Sequence, residues 1–142
     1  MSDFKTYIKV IFAMAISFFE YLVGGFDTSI KTLLAFMVAD VVTGVRKAYM
    51  GKSEKSPKGY LDSQVMREGG IRKMLVIVVV YIATVTGQLV SPDSPIIRNL
   101  TISYYIATEA LSVLENAAAC GIKLPKPLLD ALERIKIEVV GR

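Results

Sequence analysis

The reading of this chain turns on residues 46–73, RKAYMGKSEKSPKGYLDSQVMREGGIRK. The stretch holds Arg46, Lys47, Lys52, Lys55, Lys58, Arg67, Arg72 and Lys73. Long apolar runs stand on either side of it. A basic loop between two segments greasy enough to cross a bilayer decides which side of the membrane the loop occupies, and therefore the topology of everything attached to it.

Working outward, the apolar residues gather in four runs, at about 7–24, 30–49, 73–90 and 96–120. A helix crossing ~30 Å of hydrocarbon needs about 20 residues, fewer if flanking side chains snorkel. The third run meets this with no charge after Lys73, and the others contain charges. The 142-residue chain is 53% hydrophobic, with a mean hydropathy of +0.48 and a net charge of +4. A small soluble core has no room for four such runs, so one membrane domain of four spanning helices is predicted. The first run has no small-x-small site after its core and is interrupted by Glu20, so it is not read as a cleaved signal segment.

The cations fix the orientation. Lys5 and Lys9 precede the first run, eight cations fill the central connection, and Lys123, Lys126, Arg134, Lys136 and Arg142 follow the last run. Lys31 and Arg98 alone fall at the opposite end. By the positive-inside rule, both termini and the basic loop are expected in the cytoplasm, with Arg46, Lys47, Arg72 and Lys73 as topology determinants. The outer connections, Gly24-Gly25-Phe26-Asp27 and Ser91-Pro92-Asp93-Ser94-Pro95, read as turns. Residues 50–72 read as a polar, mobile cytoplasmic loop and 122–142 as a cytoplasmic tail. In that tail, Leu128, Leu129, Leu132, Ile135 and Val139 share one helical face. They fit a short amphipathic helix on the membrane or on a neighbouring helix, or else a solvated tail.

The chain has one cysteine, Cys120, and no histidine. An internal disulfide and any histidine base are therefore excluded, and metal or haem sites built on His or Cys clusters are not expected. No phosphate-binding glycine loop or nucleophile motif occurs. The expectation is a non-enzyme without catalytic residues, cofactor, metal or nucleic-acid partner.

The informative side chains are polar groups inside the runs. A charge at a helix centre costs ~2.5–3.5 kcal/mol on insertion scales, so it needs a partner or water. Asp40 falls near the midplane of the second run, with Thr43 and Lys47 at helical spacings after it. The fourth run carries Thr101, Tyr105, Glu109, Ser112 and Asn116 along one side, with Glu115 at its border. Tyr81, Thr84 and Gln88 share a face of the third. Two readings stand: these groups satisfy each other across a closed bundle, or they line an aqueous path between subunits. Small residues at Ala35, Ala39 and Gly44, and at Ala83 and Gly87, permit close helix packing and self-association.

The order of these segments is also familiar. Asp40-Val41-Val42-Thr43-Gly44-Val45-Arg46-Lys47-Ala48 is followed by Gly69-Gly70-Ile71-Arg72-Lys73, and then by Glu109-Ala110-Leu111-Ser112-Val113-Leu114-Glu115-Asn116. The exit is Gly121-Ile122-Lys123-Leu124-Pro125. Over about residues 34–128 this resembles the phage lysis and toxin-secretion holin family. The resemblance implies a multi-pass protein of the bacterial cytoplasmic membrane that accumulates, forms homo-oligomers and opens lesions. A muralytic enzyme (an endolysin) or a toxin would leave through them, and the bilayer and further copies of the chain would be the direct partners. The alternative is a small non-lytic membrane scaffold whose basic loop and tail bind a cytoplasmic partner or anionic lipid. A transporter is less well supported, because no internal repeat or broken helix pair is visible.

Overall fold

A computed structural model describes residues 2–56 and 59–140. The positions of Lys58 and Arg142, and the side chain of Val139, lie outside that description. Within it the chain is all-helical, with five helices: α1 (Ser2–Val23), α2 (Thr28–Tyr49), α3 (Ser63–Val90), α4 (Ile96–Ala119) and α5 (Lys126–Val140).

The helix ends follow local chemistry. The Asp27 carboxylate accepts from the Ile30 amide at 3.0 Å and caps α2, satisfying one of the donors that a helix start leaves free. Asp62 does the same for α3, accepting from the Gln64 and Val65 amides. This cap corrects the expected boundary. The loop does not run to residue 72, because α3 begins at Ser63 and continues through Gly69 and Gly70. A Cβ on either glycine would meet nothing, so the pair neither breaks the helix nor serves packing within the chain. At 1.5 Å per residue the 28 residues of α3 span about 42 Å, well over a ~30 Å hydrocarbon core. Its first ten residues form a polar extension. The shortened loop is also tied down, since the Ser53 amide donates to the Gly59 carbonyl at 3.0 Å. Lys52 Nζ donates to the Ala119 carbonyl at 2.9 Å, where the C-terminus of α4 attracts a cation.

α4 sits in the middle, packed against α2, α3 and α5, while α1 touches α3. The core is apolar: Val23, Ile30, Leu33, Met37, Val76, Val80 and Ile102, with Phe19, Leu34, Ile77, Tyr105 and Ile106 packed on it. From Asp3 to Phe18 every α1 side chain is exposed, Phe4, Tyr7, Phe12 and Met14 among them. Such a surface belongs in hydrocarbon rather than water. Three helices are long and apolar enough to cross a membrane: Asp3–Val23, Thr28–Tyr49 and Ser63–Val90. α4 is long enough, but Arg98, Glu109 and Glu115 keep it out of this group. It is instead the helix most enclosed by protein. α5 docks on α4 with Leu129 and Leu132 half-buried, while Leu128 and Ile135 stay exposed.

The turn between α1 and α2 has two glycines with positive φ, Gly24 and Gly25 at +112°, and only at Gly24 is space short as well. Gly24 has φ +73°, and a Cβ there would come within 2.7 Å of Thr84 Cγ2 and 3.0 Å of Arg98 Nε. Gly24→Ala is expected to cost about 1–3 kcal/mol from the left-handed backbone alone. Displacement of Arg98 adds to that. Gly25→Ala, where a Cβ meets nothing, should pay only the backbone part. Thermal melts of the two variants in mild detergent, followed by circular dichroism, check that order.

Candidate functional site

The second, third and fourth runs bring their charges to one place. Lys73 Nζ donates to Asp40 Oδ2 at 2.8 Å and to Glu109 Oε2. One ammonium thus joins α2, α3 and α4. Asn116 Nδ2 donates to Asp40 Oδ1 at 3.1 Å and to Thr43 Oγ1 at 3.3 Å, drawing the lower part of α4 onto α2. Thr43 returns its own hydroxyl proton to the Ala39 carbonyl at 2.8 Å. Gly44 lies beside Asn116, 3.6 Å from where its Cβ would stand. The side chains of Lys73, Asp40 and Glu109 are 17%, 23% and 10% exposed, so the cluster is largely removed from the surface.

Two carboxylates and one ammonium leave one formal negative charge. Glu109 is therefore not the sole partner of its cation. Without Glu109, Lys73 still holds Asp40, whereas without Lys73 two acids face each other. The stripe on α4 is consequently divided. Glu109 and Asn116 belong to the cluster, and Tyr105 instead packs on the apolar core and stacks edge-on with Tyr104, centroids 5.2 Å apart. Ser112 is half-buried and Glu115 exposed. Thr101 bonds its own helix at Ile97. Lys47 does not join Asp40: it lies 3.6 Å from Glu54, whose side chain is 88% exposed, a geometry worth little. Arg46 and Arg72 are exposed.

The small residues divide as well. Ala83 and Gly87 are buried within the chain, Gly87 beside Ile97 of α4, so that face of α3 already has an intramolecular partner. Ala39 is half-buried and Ala35 is exposed.

A second polar centre, absent from the candidate residues drawn from the sequence, is built on Arg98. Its side chain, 6% exposed, donates from Nε to the Val23 carbonyl at 2.5 Å and from Nη2 to the Gly25 carbonyl at 3.1 Å. Nη1 reaches Asp27 Oδ2 at 2.7 Å and Asn99 Oδ1 at 3.2 Å. One guanidinium thereby staples the α1–α2 turn to the first turn of α4. The signal was present: Arg98 is one of two cations at the cation-poor end, and Asp27 is an acid at the same end. The Arg98 hydrogen bond, above all, holds the Asp27 carboxyl below its ordinary 3.8, with burial opposing and the Ile30 and Ser29 amides assisting. A lowered folded value means the contact stabilises fully above pH 3.8 and is lost as pH falls through that lowered value. The stability difference between the wild type and Asp27→Asn should therefore be constant at neutral pH and shrink in strong acid. Paired melts at a series of pH values measure it.

The model of the bacteriophage holin family matches residues 17–137. The chain belongs to this family. Holins are a membrane-permeabilising, non-enzymatic family, in keeping with the exposed apolar α1. The chain is 32% identical over 104 residues to a probable holin of Bacillus phage phi105, covering 73% of this chain and 71% of that one. It is 31% identical to a 14.9 kDa protein encoded in the nagH 3′ region of Clostridium perfringens, over 95% of this chain and 97% of the other. With YqxH of Bacillus subtilis it shares 33% identity, over 83% and 78% of the two chains. No solved structure matches this holin-family chain.

Proposed function

We propose that this protein is a holin of the bacterial cytoplasmic membrane that accumulates as a closed bundle, then associates with further copies to open lesions. Four helices cross the bilayer, α4 as the inner member shielded by α2 and α3, with both termini and the basic loop in the cytoplasm. The cation distribution and the short outer turns support that orientation. A muralytic enzyme leaves through the lesions, or a toxin where the gene serves secretion. The observation that carries the reading is the Asp40–Lys73–Glu109 cluster shared by α2, α3 and α4. It satisfies expensive charges inside one closed copy, which is the property of a protein that must build up without leaking. Its surplus carboxylate leaves that closure imperfectly balanced.

Inducible expression with a membrane-potential dye, with and without a muralytic enzyme, tests this. Wild-type protein should depolarise cells abruptly after a period of harmless accumulation, and lysis should follow only when the enzyme is present. Glu109→Leu leaves a balanced Lys73–Asp40 pair and a good helix former. It should accumulate normally and depolarise late or never. Depolarisation on an unchanged schedule would separate the cluster from opening. An intact potential at every wild-type expression level would favour the scaffold reading instead.

A further inference from the structure

Tyr81, Thr84 and Gln88 take no part in the Lys73 cluster. They face α1, and together with Glu20, Tyr21 and Gly24 they line a crevice of about 340 Å³ between α1 and α3. A smaller hollow of about 190 Å³ shares Gly24, Thr84 and Gln88 and opens among Ser91, Asp93 and Arg98 at the α3–α4 turn. At 1.5 Å per residue, Gln88 lies near the outer end of α3 and Tyr81 about 10 Å further in. Beyond Tyr81 come Val80, Ile77 and Val76 of the apolar core, and then Lys73.

The charges of this end are unevenly matched. Arg98 is paired with Asp27, and Lys31 sits over the ring of Phe26, 5.5 Å from its centroid. Glu20 is exposed and has no ion pair among the described residues. A carboxylate in a lining that also holds the phenols of Tyr21 and Tyr81 and the amide of Gln88 calls for water, not an acyl chain.

We propose that this crevice is the outer vestibule of the permeation path, filled by water. The inference rests on the lesion-forming reading above and alters its geometry. The aqueous lining of the outer half comes from Glu20, Tyr81 and Gln88, while the stripe on α4 keeps the closed copy together. The apolar layer of Val76, Ile77 and Val80 separates the vestibule from the Lys73 cluster and acts as a hydrophobic seal.

Single-cysteine variants of the full chain in a Cys120→Ser background test the lining. A membrane-impermeant cationic methanethiosulfonate is added outside induced cells, before and after depolarisation. Gln88→Cys should react at both stages. Tyr81→Cys, at the floor, should react roughly tenfold faster once the path opens. Ile82→Cys, one position round on the exposed face, should stay slow throughout. If Tyr81→Cys and Gln88→Cys react no faster than Ile82→Cys in depolarised cells, the vestibule is refuted while the lesion-forming reading stands. If wild-type protein never depolarises the cells, both fall.

Discussion

Replacing Lys73 with methionine is expected to destabilise the bundle by about 3–5 kcal/mol, the usual cost of removing one partner from a buried ionic group. Methionine keeps the length and helix propensity of lysine, so the loss is not one of packing or of local structure. What remains is Asp40 and Glu109, both converging on an empty site, with Asn116 still serving Asp40. Glu109→Leu should cost far less than Lys73→Met, because Lys73 retains Asp40 at 2.8 Å. Adding Asp40→Asn and Glu109→Gln to Lys73→Met should restore much of the stability, a non-additivity that marks members of one network. Unfolding in mild detergent, followed by circular dichroism, measures all of these. If Glu109→Leu proves as damaging as Lys73→Met, Lys73 is not shared between the two acids.

Arg98→Ala is expected to be the second most damaging change, at about 3 kcal/mol or more. It strips the Val23 and Gly25 carbonyls of their donor and leaves Asp27 without its cation. Asp27 is 48% exposed and recovers water, so the penalty comes chiefly from the two carbonyls and from the volume the guanidinium fills. Arg98→Lys should recover only part, since a single ammonium cannot reproduce the fork that reaches Val23, Gly25 and Asp27 at once. The α1–α2 turn is where the loss will show. Limited proteolysis from the outer side should cut between Val23 and Asp27 in Arg98→Ala and spare the wild type. Equal resistance in both would mean that core residues such as Val23 and Ile30 hold the turn without the arginine.

The two variants probe opposite ends of the molecule. Lys73→Met loosens the contact among α2, α3 and α4. Arg98→Ala loosens the attachment of α1, whose other anchorage is slight: Phe19 and Val23 in the core, and exposed side chains from Asp3 to Phe18.

Several features follow from the amino-acid order alone, because each is a local or one-dimensional property. Apolar runs long enough for hydrocarbon are read from the sequence by counting. The bias of Lys and Arg toward the loop and the termini is likewise a matter of counting. The end of α1 at Gly24-Gly25 and the start of α2 at Asp27 are set by residues within a few positions. The cost of burying Asp40 and Glu109 is also a property of the residues themselves, which is why they stood out as needing partners. Which partners they take was not legible. Lys73 is 33 residues from Asp40 and 36 from Glu109, and helical spacing relates only residues on one helix. That spacing put Lys47 forward as Asp40's neighbour, while the packing of α3 on α4 delivered Lys73. Arg98 reaches 75 residues back to Val23, again a relation between helices that no periodicity encodes. The start of α3 shifted for a similar reason of context: Gly69-Gly70 looks like a boundary by propensity, but the Asp62 cap extends the helix across it. Residue type and order determined which groups are costly and where the chain turns. The tertiary structure decided which groups meet, because the meeting depends on how α2, α3 and α4 are rotated against one another.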